Sequence, residues 1–293
     1  MRLINLRRPK KNHFLLNIFF NSRPKLEVHC WENYPSSYLK RAVRLEIVLP
    51  PGYYEERPGS YPLLILNDGQ DLPALQLLDT LSRLYQKQQT APFLLVAVHA
   101  GDRMQEYGTA GQPDYKKRGA KAQAYTDFIL QELIPQLERR YRVSSDIKQR
   151  AIAGCSLGGL SALDIAWKNS EQFGKVGVFS GSLWWRSTDF DPSQPDANRI
   201  PQVMVETGTK KQGLQFWFQA GTEDETSDRN HNGIIDAIDD TLQLMDALEA
   251  LGYDRSQDMK YVEVKGGKHH PQTWGKVMPA FLKWAFPGKR SER

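Results

Sequence analysis

Arg150-Ala-Ile-Ala-Gly154-Cys155-Ser156-Leu157-Gly158-Gly159-Leu160 decides how the chain is read. A short apolar run enters Gly154-Cys155-Ser156-Leu157-Gly158, which has the form G-x-S-x-G, and helix-compatible residues continue to Ser170. A strand that turns sharply into a helix at a serine leaves Oγ off the strand end, where it meets substrate instead of packing inward. Gly154 and Gly158 remove Cβ atoms that would obstruct the turn or hold the helix away from the strand. The helix that starts at the serine also aims free backbone N–H groups, and the positive end of its dipole, at a developing oxyanion. The stretch therefore predicts a nucleophile, Ser156, and a layered fold able to present it.

Working outward, residues 61–67 and 93–98 are nearly all apolar, as strands buried on both faces must be. Residues 41–49 alternate apolar and polar, which marks a half-buried strand, and Pro50-Pro51-Gly52 stops it. Further strands are expected over 175–180, 214–220 and 259–264. Between 122 and 142, Tyr125, Ile129, Leu133, Leu137 and Tyr141 recur every fourth residue, which predicts an amphipathic helix kinked at Pro135. Helices are also expected over 238–251, closed by Gly252, and over 274–286. Residues 99–117 read as a long polar loop and 186–200 as an irregular excursion. Strands separated by helices of this length imply an α/β fold, with a mostly parallel central sheet and helices on both faces.

The charge balance narrows the partners. Residues 1–26 hold Arg2, Arg7, Arg8, Lys10, Lys11, Arg23 and Lys25 and no acid. Those seven charges taken from the net +5 leave −2 for the remaining residues, so no basic stripe for nucleic acid runs through the body. Residues 1–25 read as a loosely held basic arm, and residues 26–293 as a single domain. The apolar run 14–20 is broken by Asn17 and lacks a small-residue cleavage site, so it falls short of a secretory signal. No stretch has the ~20 apolar residues of a membrane span. Cys30 and Cys155 give no disulfide framework, and the expectation is a reducing, cytoplasmic setting.

A nucleophilic serine needs a base within hydrogen-bond reach and an acid to hold that base in the right tautomer. The strand over 214–220 runs into Gly221-Thr222-Glu223-Asp224-Glu225, and that over 259–264 into Gly266-Gly267-Lys268-His269-His270. Both runs fall at strand C-termini, the edge where sites form in such sheets. Six segments then fall in order: Leu49-Pro-Pro-Gly-Tyr53, Asn67-Asp-Gly-Gln70, Gly154-Cys-Ser-Leu-Gly-Gly159, Ser180-Gly-Ser-Leu-Trp-Trp185, Gly221-Thr-Glu-Asp224, and Gly266-Gly-Lys-His269 with Trp274 five residues on. Together they resemble the putative-esterase family of α/β-hydrolases over residues 40–285. That family includes enterochelin (siderophore), feruloyl and acetyl-xylan esterases, S-formylglutathione hydrolase and mycolyltransferases. The Ser180–Trp185 segment leans toward the enterochelin-esterase-like branch.

The resemblance implies an α/β-hydrolase fold and a serine carboxylic-ester hydrolase acting on a small-molecule ester. It puts the nucleophile on Ser156, the acid on Asp224 and the base on His269, with Glu223 or Glu225 as alternative acids and His270 as the alternative base. The oxyanion hole is expected from the N–H of Leu157 and, by resemblance, of Gln70. Trp184 and Trp185 are candidate pocket walls. Asp102, Arg103 and Tyr107 could recognise an anionic substrate group or belong to a solvated loop. An acyltransferase with the same triad and a non-catalytic binding module on the same fold are the rival readings.

Catalysis of this kind needs no cofactor. One segment nevertheless reads as a structural Ca²⁺ loop. Asp228, Asn230, Asn232 and Asp236, with Gly233 sixth and Asp239 twelfth, follow the spacing of an EF-hand-type loop. The alternative is an Asn/Asp-rich turn capping the following helix.

Overall fold

The computed structural model describes residues 23–55 and 59–288. Its strands are β1 (Glu27–Ser36), β2 (Arg41–Leu49), β3 (Leu63–Asn67), β4 (Leu94–Val98), β5 (Arg150–Cys155), β6 (Lys175–Phe179), β7 (Gln215–Glu223) and β8 (Met259–Lys268). They form one sheet in the order β1-β2-β4-β3-β5-β6-β7-β8. β1 pairs antiparallel with β2 and β2 with β4, and every later pairing is parallel. The α/β-hydrolase expectation holds.

No residue of β3, β4 or β5 is exposed, because helices cover both faces of a parallel sheet. The helices are α1 (Leu77–Gln86), α2 (Arg103–Glu106), α3 (Ala122–Asp127), α4 (Ile134–Arg140), α5 (Leu157–Lys168), α6 (Ile200–Glu206), α7 (Asp236–Ala250) and α8 (Pro271–Ala285). Leu63, Ile65, Leu94 and Val96 share one core with Tyr125 of α3, Leu160 of α5 and Leu244 of α7. Leu64, Leu66, Leu95 and Ala97 share the other with Leu81 of α1 and Phe281 of α8. The two-residue period of a strand thus feeds two cores at once, and each buried leucine contributes about 1.5–3 kcal/mol.

Several boundaries differ from expectation. β1 carries Glu27, His29 and Glu32 and has a bulge between Trp31 and Tyr34; an edge strand of this polarity lacks an apolar signature. β7 and β8 run three and four residues past their expected ends, because they continue to pair with each other as far as Glu223 and Lys268. α1 and α6 lie in stretches for which the pattern predicted no helix. The expected kink before Pro135 is a π-helical turn over Phe128–Leu133 joining α3 to α4. Proline has no N–H to give and crowds the carbonyl four residues back, so the turn widens.

Of the expected basic arm, residues 1–22 lie outside the described residues. Arg23 pairs with Asp79 of α1, and the Pro24 carbonyl accepts the Ser82 hydroxyl at 3.2 Å. Among the described residues no helix is long and apolar enough to cross a membrane.

Candidate active site

Ser156 stands between β5 and α5 with φ 55° and ψ −124°, a backbone region that costs a non-glycine residue about 1–3 kcal/mol. Packing on both sides imposes it. A Cβ on Gly154 would overlap the carbonyl of Gly158, and one on Gly158 would meet Asp68 Oδ2 at 2.6 Å. The helix therefore sits directly on the strand and on the turn after β3. The Ser156 N–H donates to Phe179 O at 2.8 Å, which ties the elbow to the end of β6. The Ser156 hydroxyl lies 3.4 Å from that of Ser182.

The register of β7 and β8 sets the next two groups. Glu223 is paired with Lys268, so the residues that follow, Asp224 and His269, leave adjacent parallel strands side by side. Gly221 permits the approach: a Cβ there would overlap Gly267 O and meet Asp224 Oδ1 at 2.8 Å. Asp224 Oδ2 accepts the Gly221 N–H at 2.9 Å. Its buried Oδ1 has no hydrogen-bond partner among the described residues.

The alternative acids turn elsewhere. Glu223 is exposed and 3.9 Å from Lys268, while Glu225 accepts from the backbone of Ala237, its pKa raised by burial and by Asp236. His270 is occupied as well: its Nδ1 accepts from Gln272 N at 3.2 Å and caps α8.

The His269 ring meets Trp274 edge-on, with centroids 5.2 Å apart and planes at 83°. The Trp274 indole in turn donates to Ser180 Oγ at 2.9 Å. Ser180 follows Phe179, which pairs with Cys155, so this chain of contacts carries the imidazole back to the edge that bears Ser156. The pKa of His269 is lowered by desolvation; the Asp224 carboxylate pulls it up and the Arg103 guanidinium pushes it down.

Leu157 opens α5, so its N–H has no intrahelical carbonyl to bond. Gln70 lies in the 3₁₀ turn Gly69–Asp71, which follows Asp68 in the left-handed conformation. This turn is anchored from several sides. Asn67 Nδ2 donates to Gly158 O at 2.8 Å, Tyr125 donates to Asn67 Oδ1 at 2.7 Å, and Asp68 N donates to the Tyr107 hydroxyl oxygen at 3.0 Å. Gln70 Nε2 donates to Asp68 Oδ1 at 2.9 Å, and its Oε1 accepts from Ala100 N at 3.1 Å.

Arg103 and Tyr107 are engaged within the protein, with the Arg103 side chain still 36% exposed. Arg103 binds both oxygens of Asp68, at 2.8 and 2.9 Å, and Tyr107 is fully buried. Asp102 alone stands exposed at the start of α2. The sequence offered no signal for these inward contacts or for the roles of Ser180 and Ser182, since each depends on neighbours far along the chain.

The two tryptophans separate. Trp185 is 1% exposed and packs under Gly108 and Gly119, so it is core and walls no pocket, contrary to expectation. Trp184 is 41% exposed and borders a cleft of about 650 Å³ with Tyr115, Arg186, Phe190 and His231. Trp184 lies two residues beyond Ser182 in the chain, but neither Ser156 nor His269 lines this cleft. A groove of about 690 Å³ lined by Pro24, Pro51, Tyr85 and Pro287 lies at the opposite strand ends, remote from this chemistry.

The expected calcium loop does not assemble as a cage. Asp228 accepts the N–H groups of Asn232 and Gly233 at 3.0 and 2.9 Å, and Asn232 Oδ1 accepts from Ile234 N. Asn230 donates to Asp239 and Asp196. The carboxylates of Asp236 and Asp239 face Arg229, which also pairs with Asp196 and Asp240. Among the described residues no group of three or more His, Cys, Asp or Glu side chains could hold a metal. Arg229 thus lies against two of the carboxylates, Asp236 and Asp239, that the loop's spacing offers to a Ca²⁺ ion.

The model of the family described as Putative esterase matches residues 36–285. The chain belongs to that family. The class of enzyme is therefore a carboxylic ester hydrolase. The esterase is 25% identical over 252 residues to the uncharacterized protein YbbA of Bacillus subtilis, covering 85% of this chain and 94% of that one. It is 33% identical over 138 residues to an iron(III) enterobactin esterase of Escherichia coli K12, covering 45% of this chain and 30% of that one. Among solved structures it resembles the enterobactin esterase of Shigella flexneri, with TM-score 0.67 and 22% identity over 89% of this chain and 59% of that one. A ferulic acid esterase superposes with TM-score 0.65 and 18% identity over 89% of this chain and 98% of that one. The esterase thus spans about a third of the length of the curated enterobactin esterases it matches.

Proposed function

We propose that the chain is a serine esterase that works through an acyl-enzyme on Ser156. His269 takes the Ser156 proton as Oγ bonds to the ester carbonyl carbon, and gives it to the departing alcohol as the C–O bond breaks. Water then loses a proton to His269 and bonds to the acyl carbon; the acyl–Oγ bond breaks as His269 returns that proton to Oγ, which releases the carboxylic acid and restores the serine. Asp224 Oδ1 holds the imidazole tautomer, and the N–H groups of Leu157 and Gln70 stabilise the tetrahedral oxyanion. The observation that carries this reading is the β7–β8 register, which sets Asp224 and His269 side by side at the strand edge of the strained Ser156.

Fluorophosphonate labelling with p-nitrophenyl ester turnover tests the reading. Wild type should label and turn over, and Ser156→Ala should lose all labelling and at least ~10⁴-fold in kcat. A folded wild type that neither labels nor turns over would remove it.

A further inference from the structure

Resting on the esterase reading, we propose that Arg103 is a positioning residue that holds the two halves of the oxyanion site in one frame. Its guanidinium grips Asp68 through Nε–Oδ1 at 2.8 Å and Nη2–Oδ2 at 2.9 Å, and Nη2 also donates to the Cys155 carbonyl at 3.2 Å. Asp68 lies two residues before Gln70, and Cys155 two residues before Leu157. A single planar group therefore spans the turn bearing one donor and the strand end bearing the other.

The turn needs such a hold. Asp68 has φ 59°, is 3% exposed, and shares Oδ1 with the Gln70 side-chain amide, so displacing its carboxylate displaces Gln70. The ring of Tyr107 lies 5.5 Å below the guanidinium and fixes its plane. A fork with several fixed donors makes these contacts together; a lysine ammonium, a point charge, cannot.

The same cation lies on the field of the base. The charges bearing on His269 are Asp224 from the end of β7 and Arg103 from α2. Neighbouring Lys268 and Glu223 are both largely exposed and face each other, and Trp274 of α8 contributes no charge. Arg103 disfavours the imidazolium. Neutralising it therefore moves the acid limb of kcat/KM to higher pH, which a scaffolding residue would not do.

The test measures kcat, KM, pH profile, fluorophosphonate labelling and Tm for wild type, Arg103→Lys and Arg103→Met on a p-nitrophenyl ester. Arg103→Lys should lose about 10–100-fold in kcat, part of what a missing oxyanion donor costs, with KM within about threefold and the acid limb unmoved. Arg103→Met should lose more and shift the acid limb upward. Wild-type kcat in Arg103→Lys overturns the proposal, and so does an unmoved limb in a folded Arg103→Met. If Arg103→Met does not fold, Arg103→Lys alone decides. A wild type that neither labels nor turns over identifies failure of the esterase reading itself, separately from any effect of the variants.

Discussion

Of three acids in succession, Glu223 pairs with Lys268, Glu225 accepts from the Ala237 backbone, and Asp224 is the one whose charge bears on His269. Asp224→Asn should cut kcat by about 10⁴-fold, as loss of the tautomer-holding acid does in serine hydrolases. Glu223→Gln, on an exposed side chain, should leave kcat within about twofold of wild type. Equal losses in both variants would show that the acid had been misassigned. The pH profile follows from the same residue. Desolvation holds the imidazole below its ordinary pKa, so the neutral, proton-accepting form persists to lower pH. The acid limb of kcat/KM should therefore fall below pH ~6.5, the ordinary histidine value.

At the scale of elements, the joint between α5 and the turn after β3 is a tight contact near the serine. Gly158→Ala would push its Cβ to 2.6 Å from Asp68 Oδ2, so the oxyanion turn must move. We expect at least a tenfold loss of kcat with KM little changed, measured beside Tm to separate misplacement from unfolding. Much at this scale was legible in the sequence. Apolar runs without alternation marked the central strands, and G-x-S-x-G marked the joint itself. The candidate triad was also legible, through spacing from strand ends and resemblance, because both motifs are local. Arg103, Ser180 and the burial of Trp185 were not, since their meaning lies in contacts with residues 35 to 94 positions away. β1 escaped notice because Val28, Trp31 and Tyr34, which pack on the two cores, are interrupted by charged residues and by a bulge and so show no regular alternation.

Across the whole molecule, Arg229 joins the 186–196 excursion to α7 through Asp196, Asp236, Asp239 and Asp240. Its side chain is only 6% exposed, and its removal leaves buried Asp239 without a cation and Asp240 with Arg199 alone. Arg229→Met should cost roughly 3–5 kcal/mol in denaturant unfolding. Chelation by EDTA should leave Tm and turnover unchanged; a Tm drop reversed by Ca²⁺ would show that the carboxylates abandon Arg229 for the ion.

The proposed base hangs from β8, which ends the sheet and is hydrogen-bonded to β7 alone. Along much of its length this strand is open to water, and strands of that kind detach more readily than the interior ones. Ser156, by contrast, is rooted in β5, deep in the sheet. On heating, nucleophile and base should part company while most of the structure survives. Esterase activity should then disappear several degrees below the midpoint seen by circular dichroism, and return on cooling.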